Sequence, residues 1–436
     1  MGSRVSHRAC EVCEKCVGSA PPTCRDLFLT LIMRLPISAQ LRSAARDLGM
    51  LPEIAMASRM RSKLDFVGAR GQLERASEVV SGVPMPEMQL LSGGALARML
   101  RETGQMRQEV SLWDGIVERC GDAHAVVRIH ALHGAITSHL HSGSGDAALQ
   151  YCSVADALLP SADEMAFSGM PWDAVFATHR AQARVITGNA LTPSDVVQVE
   201  TTPVAAESIR LLIGDSLLDG GDTDGAVSQW EAVVPSGSAD ADLSDGDARP
   251  TDATMREIAA RHRLGAVLRE RGDIAASRAH LTEAADLCEL LTDGGEDGVP
   301  ASNPLLSYTL GELAASVAAD GEFVAAEGLY RAAIDGIGGG GVAVTGIPPL
   351  HAPYLFPSLI TFAELLERLE TNGKPRVAEA TQMRQRAADI RSAHADMVPA
   401  EGAALPLARG AWPGVQPWYV ASLEMDWLGA CLEGNA

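Results

Sequence analysis

Two neighbouring stretches of the chain, within about residues 260–334, carry large, small and polar side chains in the same order. Each begins with a large and a small residue, continues with a large residue one helical turn later, and reaches a glycine. Large and small residues then recur at three- and four-residue intervals. This spacing predicts two helices whose apolar faces pack together, joined by a turn at the glycine, which accepts positive φ at little cost. The matching positions are Leu264, Gly265, Leu268, Gly272, Ile274, Ser277, Leu281 and Ala284, and Leu313, Ala314, Val317, Gly321, Phe323, Ala326, Tyr330 and Ala333.

The same pattern recurs upstream of these two stretches. It runs through Leu96–Ile116, where Glu109 stands at a position that is otherwise small, and again through Ile213–Val233. Gly71 lies 33 residues before Gly104 and indicates an earlier, degenerate unit. We therefore predict about five to seven helical hairpins, stacked antiparallel into an all-α solenoid.

Hairpins of this kind resemble the tetratricopeptide repeat (TPR), in which units of about 34 residues stack into a superhelix. The match is close over residues 205–234 and 260–334, and an ordinary helical bundle is the alternative. The resemblance implies a concave groove, lined by the first helix of each pair, that holds an extended peptide or a helix of a protein partner. It thus implies a non-catalytic interaction adaptor or assembly scaffold. Cationic side chains in such grooves bind carboxylates, a role that the resemblance gives here to Arg261 and Arg263.

The predicted repeat domain occupies residues 65–395, with long acidic or glycine-rich loops near residues 236–251, 292–300 and 336–349. Residues 1–64 are predicted to be a flexible or targeting segment, because the basic residues between Met33 and Lys63 are typical of an organelle transit peptide. An amphipathic first helix of the solenoid is the alternative. Residues 396–436 carry three of the tryptophans and are predicted to form a linker and a capping or docking helix.

The net charge of −21 is unevenly distributed. Residues 1–75 contain 12 basic and 7 acidic residues, a balance of +5, so the remainder carries −26. Such an acidic body repels a phosphate backbone, and we expect no nucleic-acid partner. No apolar run reaches the roughly 18 residues of a membrane span. The cysteines do not form a disulfide framework, which indicates an intracellular location, either cytoplasmic or in an organelle such as the mitochondrion.

Four N-terminal cysteines are the densest group of candidate metal ligands. Cys10, Cys13, Cys16 and Cys24 have the spacing C-x2-C-x2-C-x7-C, and thiolates at this density can bind zinc or an iron–sulfur cluster. The last spacing matches no familiar cluster pattern. A disordered leader, or residues that precede a later start such as Met33, is the favoured interpretation, and no metal is predicted.

The segment Gly214–Leu217 resembles the nucleophile block of GDSL esterases, with Ser216 as the nucleophile. In that family, Asp-x-x-His near the C-terminus supplies the base, and no histidine after Ser216 has an aspartate three residues before it. A serine without a positioned base is not activated. The repeat pattern already accounts for Gly214 and Leu217, so an esterase is the weakest alternative, and no catalytic residue or cofactor is predicted.

A group of histidines lies at His124, His130, His133, His139 and His141. His130 and His133 are spaced so that they could share a helix face and bind one metal ion, but no carboxylate or cysteine at helical spacing completes a ligand set. We predict that they occupy a solvated or groove face. A further alternative for the chain is an RNA-binding hairpin array of the pentatricopeptide kind in an organelle, which the acidic body disfavours. The partner and the oligomeric state do not follow from the sequence.

Overall fold

The computed structural model describes the protein over residues 39–62, 65–121, 123, 125–159, 172–189, 191, 203–235, 251–292, 304–338, 352–371 and 374–394. These residues form an all-α solenoid of stacked antiparallel helical hairpins, with one pair of two-residue strands. In chain order the elements are α1 (Ala39–Gly49), α2 (Pro52–Ser62), α3 (Phe66–Ser81), α4 (Pro86–Glu102), α5 (Met106–Arg119), α6 (Ala125–His141), α7 (Gly145–Leu158), α8 (Trp172–Ile186), α9 (Pro203–Asp219), α10 (Thr223–Glu231), α11 (Thr251–Glu270), α12 (Ile274–Thr292), α13 (Pro304–Ala319), α14 (Phe323–Gly338), α15 (Ala352–Arg368), β1 (Glu370–Thr371), β2 (Lys374–Pro375) and α16 (Val377–Ala393).

Two layers of helices run through the array. The first helices of successive pairs, α4, α6, α8, α9, α11, α13 and α15, contact one another in that order and form the first-helix layer. The second helices, α5, α7, α10, α12, α14 and α16, each pack against their own first helix, and most also contact the first helix of the next pair. The core is therefore a chain of clusters between neighbouring hairpins, as expected when each repeat contacts only its neighbours.

A glycine with positive φ follows six helices of the first-helix layer. At Gly272 φ is +82°, and the backbone N–H of Asp273 donates to the carbonyl of Leu268 at 2.9 Å. This bond closes a Schellman cap and satisfies an otherwise free carbonyl at the helix end. The Asp273 side chain then accepts from the N–H of Ala276 at 3.1 Å and caps the next helix. The six glycines are Gly104, Gly143, Gly188, Gly221, Gly272 and Gly321.

Small residues of the pattern lie where two helices of a hairpin approach closely. A Cβ at Gly265 would lie 2.5 Å from Cγ of Leu281, which leaves no room for a side chain. Ser277 is buried and donates from Oγ to the carbonyl of Gly265 at 2.6 Å. The small positions of the pattern thus mark the places where α11 and α12 are in closest contact.

The array begins before the predicted boundary at residue 65. Helices α1 and α2 pack on α3 and α4, and bury Ala44, Leu48, Ile54 and Ala57 in a common core. Among the residues described, 39–62 thus match the alternative of helices belonging to the solenoid. Gly71, whose spacing predicted an earlier degenerate unit, lies within the helix α3, and the chain turns later.

Several predicted features lie outside the described residues. The C-terminal segment 396–436 and the cysteine group Cys10, Cys13, Cys16 and Cys24 are among them, as are the three long loops apart from Thr251, Thr292 and residues 336–338, which belong to helices. None of the helices described is long and apolar enough to cross a membrane.

Candidate partner-binding site

The first-helix layer is buried on all sides along two of its helices. In α6, every residue from Val126 to His141 is buried except Arg128, and in α11 burial is continuous from Arg256 to Val267. Helix α6 is enclosed by contacts with α4, α5, α7 and α8. The face that the repeat resemblance assigns to a partner is therefore covered in this conformation, and many of the covered side chains are polar.

The histidines of α6 are part of this covered surface. Nδ1 of His133 forms a 3.0 Å hydrogen bond with Nε2 of His179, which lies in the neighbouring first helix α8. The Trp172 ring packs edge-on against His130 and His133. Burial lowers the pKa of His133 to about 4 and that of His130 to about 3. These rings are neutral at pH 7, because the charged form would lose its hydration.

Of the two faces predicted for these histidines, solvated or groove, the solvated one is wrong for the four that the structure describes, because they lie buried within the first-helix layer. His130, His133, His139 and His141 are all buried, since α6 has neighbours on every side. His139 accepts or donates through Nε2 to Asp114 at 3.0 Å, depending on its tautomer. Over the described residues, no three histidine, cysteine, aspartate or glutamate side chains are placed to hold a metal ion.

We use the name α6–α8 polar cluster for five buried polar side chains on these two neighbouring first helices: Thr137, Ser138 and His141 on α6, and His179 and Gln182 on α8. Their exposed fractions are 1%, 1%, 4%, 0% and 6%. Within the part of the chain that the structure describes, one polar atom of each side chain has no hydrogen-bond partner. These atoms are Oγ1 of Thr137, Oγ of Ser138, Nδ1 of His141, Nδ1 of His179 and Oε1 of Gln182. A buried polar atom left without a partner costs about 1–3 kcal/mol. Folded proteins leave few such atoms without a protein or water partner.

Arg261 and Arg263, the predicted groove cations, both lie in α11 but are buried and bound within the chain. Arg261 donates to Glu257 at 2.7 and 2.9 Å and forms an ion pair with Glu283 of α12. Arg263 forms a two-bond pair with Asp215, at 2.6 and 2.9 Å. Capture of an acidic partner by these residues stays a prediction, and it now requires each to exchange an internal carboxylate for the partner's.

The esterase-like block lies within helix α9 and not after a strand. Asp215 is buried and points at α11, where it holds Arg263. Burial raises the pKa of Asp215 to about 6 against the opposing effect of Arg263, so the carboxylate is ionised at pH 7. A Cβ at Gly214 would collide with the Trp230 ring, which explains the glycine by packing. Each residue of the block that faces a neighbour thus has a structural role.

Sequence reasoning missed most of the polar contacts between helices. Glu109, noted only as a misfit, is fully buried and accepts from Arg101 at 2.6 and 3.0 Å. The signal available was a charged residue at a position that the repeat pattern requires to be buried. Thr137, Ser138, His179 and Gln182 gave no signal, because hydroxyl and amide side chains are also common on solvated helix faces.

Ion pairs connect consecutive hairpins along the array. Each joins residues 42–49 positions apart, about one repeat length. They link both the first-helix layer and the outer helices, which means that every junction from α9 to α16 carries at least one. The pairs are Glu207–Arg256, Asp215–Arg263, Asp224–Arg271, Arg269–Glu312, Arg278–Asp320, Arg278–Glu322, Arg331–Glu379 and Glu327–Arg376.

No protein-family model matches this sequence, and the search of curated proteins gives no match. Among solved structures, the chain is similar to the apo form of the quorum sensor NprR from B. thuringiensis. The identity is 11% and the TM-score 0.38, over 78% of this chain and 97% of that one. A likeness at this level carries no argument about function. The helical-repeat fold of this chain rests on its own helices and their contacts.

Proposed function

We propose that this protein is a non-catalytic, TPR-like adaptor that binds a segment of another protein against its first-helix layer. The observation that carries the proposal is the α6–α8 polar cluster. Its five side chains are buried on two neighbouring first helices, and in each one polar atom has no hydrogen-bond partner within the described part of the chain. Such atoms are stabilised when a ligand supplies the missing hydrogen bonds, and destabilise the chain when it does not.

The cluster suits an uncharged, hydrogen-bonding ligand. Burial lowers the pKa of both His141 and His179, so each ring is neutral, and Nε2 of His179 is already hydrogen-bonded to His133, which leaves its Nδ1 for a ligand. Thr137, Ser138 and Gln182 add hydroxyl and amide groups. Peptide N–H and C=O groups match this set, whereas a carboxylate would lose its hydration near two guanidiniums, Arg101 and Arg180, that already pair with Glu109 and Asp156. An extended peptide is therefore the preferred ligand at this position.

Because the cluster is covered, binding is coupled to a movement of the array. A partner reaches it only after α6 separates from the helices that enclose it, which are α4, α5, α7 and α8. The energy of the unsatisfied polar atoms favours that opening, since an opened site can hydrogen-bond to water or to the partner. The adaptor thus has a closed form, described here, and an open form that the partner selects.

The test is a variant that removes hydroxyls from the cluster without changing its shape, Thr137→Val with Ser138→Ala. If those hydroxyls are unsatisfied in the free protein, the melting temperature stays the same or rises. The substitution then removes buried polar atoms that have no partner, and with them the cost of burying these atoms. We expect the amount of bound partner, recovered from an extract of the native organism and quantified by mass spectrometry, to fall at least tenfold.

The matched control is Ser153→Ala, which removes an exposed hydroxyl from α7 that donates to the carbonyl of Leu149. It should leave both the recovered partner and the melting temperature unchanged. Equal recovery by the cluster variant and the control would refute the proposal. A marked fall in the melting temperature of the cluster variant would also refute it, since the hydroxyls would then be serving the free fold.

A further inference from the structure

A groove of about 440 Å³ lies on the surface at the N-terminal end of the first-helix layer, between α3 and α5. Its apolar lining consists of Leu96 and Leu100 from α4 and Leu112 from α5. The first two leucines are buried and the third is half-buried. We call this the α3–α5 groove. It is separate from the α6–α8 polar cluster, and nothing about it depends on the proposed inner site.

Two arginines on the lining of this groove differ from the others on the array. Arg107 and Arg119 are both exposed, and neither has an ion pair within the described part of the chain. Surface arginines on the later hairpins are paired, for example Arg271 with Asp224 and Arg278 with Asp320. In a chain with a net charge of −21, two unpaired cations beside an apolar surface form a local positive site.

The spacing of the arginines gives the length of the site. Their Cα atoms are 12 residues apart on one helix, which corresponds to roughly 18 Å along its axis. Between them, α5 presents Ser111 and Gly115 to the groove, and the Arg119 guanidinium folds back over Gly115, with Nη1 3.2 Å from the position that a Cβ would take. Glu74 on the opposite wall is neutralised by Arg70, whose Nε donates to it at 2.8 Å. The groove therefore combines an apolar floor with positive charge at two points.

The volume decides what kind of segment fits. A helix about 10 Å across and 18 Å long occupies roughly 1,400 Å³, far more than the groove. Only the side chains of one helix face can enter it. An amphipathic helix meets this requirement, because its apolar residues recur at three and four positions and share one face. Carboxylates near both ends of that face would meet the two arginines.

We propose that the α3–α5 groove is a second docking site, which binds an acidic amphipathic helix of another protein. The apolar stripe of that helix packs on Leu96, Leu100 and Leu112, and its carboxylates pair with Arg107 and Arg119. Opposite charge speeds the encounter and sets the register, while the apolar floor supplies most of the affinity. A nucleic acid is disfavoured, since only two cations face an apolar floor and a carboxylate.

The test measures binding of two labelled peptides to the full-length protein by fluorescence anisotropy. Both are 14-residue helical peptides with leucines on one face, and they differ only in carrying glutamate or lysine at each end of that face. The wild type should bind the glutamate peptide at least tenfold more tightly than the lysine peptide. In Arg107→Glu with Arg119→Glu, this preference should reverse. The fold should be unaffected, because both arginines are exposed and unpaired.

Arg271→Glu with Arg278→Glu is the matched control, because it changes the net charge equally on a distant surface. It should keep the preference for the glutamate peptide. The proposal fails if the wild type binds neither peptide at millimolar concentration, if it binds both equally, or if both double variants behave alike. Displacement of the glutamate peptide by single-stranded DNA would assign the groove to nucleic acid. Self-association that is lost in Arg107→Glu with Arg119→Glu would assign it to a second copy of this chain.

Discussion

At the scale of single residues, a charged side chain is buried where an oppositely charged side chain lies beside it. Asp215 and Arg263 are the most enclosed of the described ion pairs, with side chains 3% and 6% exposed. Two hydrogen bonds join them, and Arg263 also donates to the carbonyl of Ala259 at 2.9 Å. Removing two charges from water costs several kcal/mol per ion, which the pair recovers only when both members are present.

Asp215→Asn should therefore lower the free energy of unfolding by about 3–5 kcal/mol, because it leaves the Arg263 guanidinium buried without its counter-charge. Urea denaturation at pH 7 measures the loss. The comparison variant is Asp224→Asn, which breaks the exposed pair with Arg271 and should cost less than about 1 kcal/mol. Equal losses in the two variants would contradict the assignment of a buried, ionised pair.

The sequence pointed to Arg263 but not to its partner. An arginine beside a repeat position suggested a free cation for a ligand, whereas the carboxylate that binds it lies 48 residues earlier, on another hairpin. Asp215 was noted only within an esterase-like block. Pairing between hairpins depends on how far one first helix slides along the next, and the apolar pattern of either hairpin alone does not determine that offset.

At the scale of elements, glycine has two opposite effects in these helices. Gly272 ends α11 with φ of +82°, a conformation that L-residues adopt at a cost of roughly 1–2 kcal/mol. Gly71 lies inside α3, with no atom within 4 Å of the position that a Cβ would take. There, glycine only weakens the helix relative to alanine.

We predict that alanine substitution changes stability in opposite directions at these two positions. Gly272→Ala should lower the free energy of unfolding by about 1–2 kcal/mol, because it strains the turn. Gly71→Ala should raise it by about 0.5–1 kcal/mol, because it favours the helix. Thermal unfolding of both variants gives the comparison, and a change of the same sign in both would exclude this account.

The hairpins of α11–α12 and α13–α14 were predictable because a residue pattern with large, small and glycine positions reports helix contact and turn together. Gly188, which has a positive φ after α8, was not predicted as a turn. Gly71 indicated an earlier unit but not the position of its turn, because glycine spacing alone does not separate a turn from a helix interior. The strand pair that connects α15 to α16 was not predicted, although the Asn-Gly sequence between the two strands is typical of a hairpin turn.

At the scale of the whole molecule, burial of several neutral histidines ties stability to pH. Burial lowers the pKa of His130 and His262 to about 3 and that of His133 to about 4, and it lowers the pKa of His141 and His179 as well. The unfolded chain titrates near 6.5. Above that pH both states are neutral. As the pH falls below 6.5, the unfolded chain binds protons that the folded chain excludes, so stability is lost.

The free energy of unfolding should therefore decrease between pH 6.5 and about pH 5 by up to about 1.4 kcal/mol per pH unit for each buried histidine. Asp215 acts in the opposite direction, since its raised pKa lets the folded chain hold a proton below about pH 6. Urea denaturation across this range measures the net slope. His133→Gln with His179→Gln should flatten it, whereas His394→Gln at the half-buried end of α16 should change it less. A slope unaffected by the double variant would contradict the argument.

The fold class followed from the sequence because every hairpin repeats the same solution to packing. The closure of the first-helix layer did not. Continuous burial of α6 and α11 depends on neighbours on all sides, and a helix with polar residues around its circumference reads as solvated when taken alone. The same limitation hid the α6–α8 polar cluster, whose members are polar, buried and distant in sequence.

The ion pairs between consecutive hairpins restrict how such a chain can grow. They join different residues at each junction: Asp215 receives Arg263, and Glu312 receives Arg269. A duplicated or transposed hairpin would meet a neighbour whose charges do not correspond to its own, and would leave a guanidinium or a carboxylate enclosed without its counter-ion. Although the hairpins share one design, they are not interchangeable. The charged side chains at each junction therefore specify the order of the hairpins along the chain.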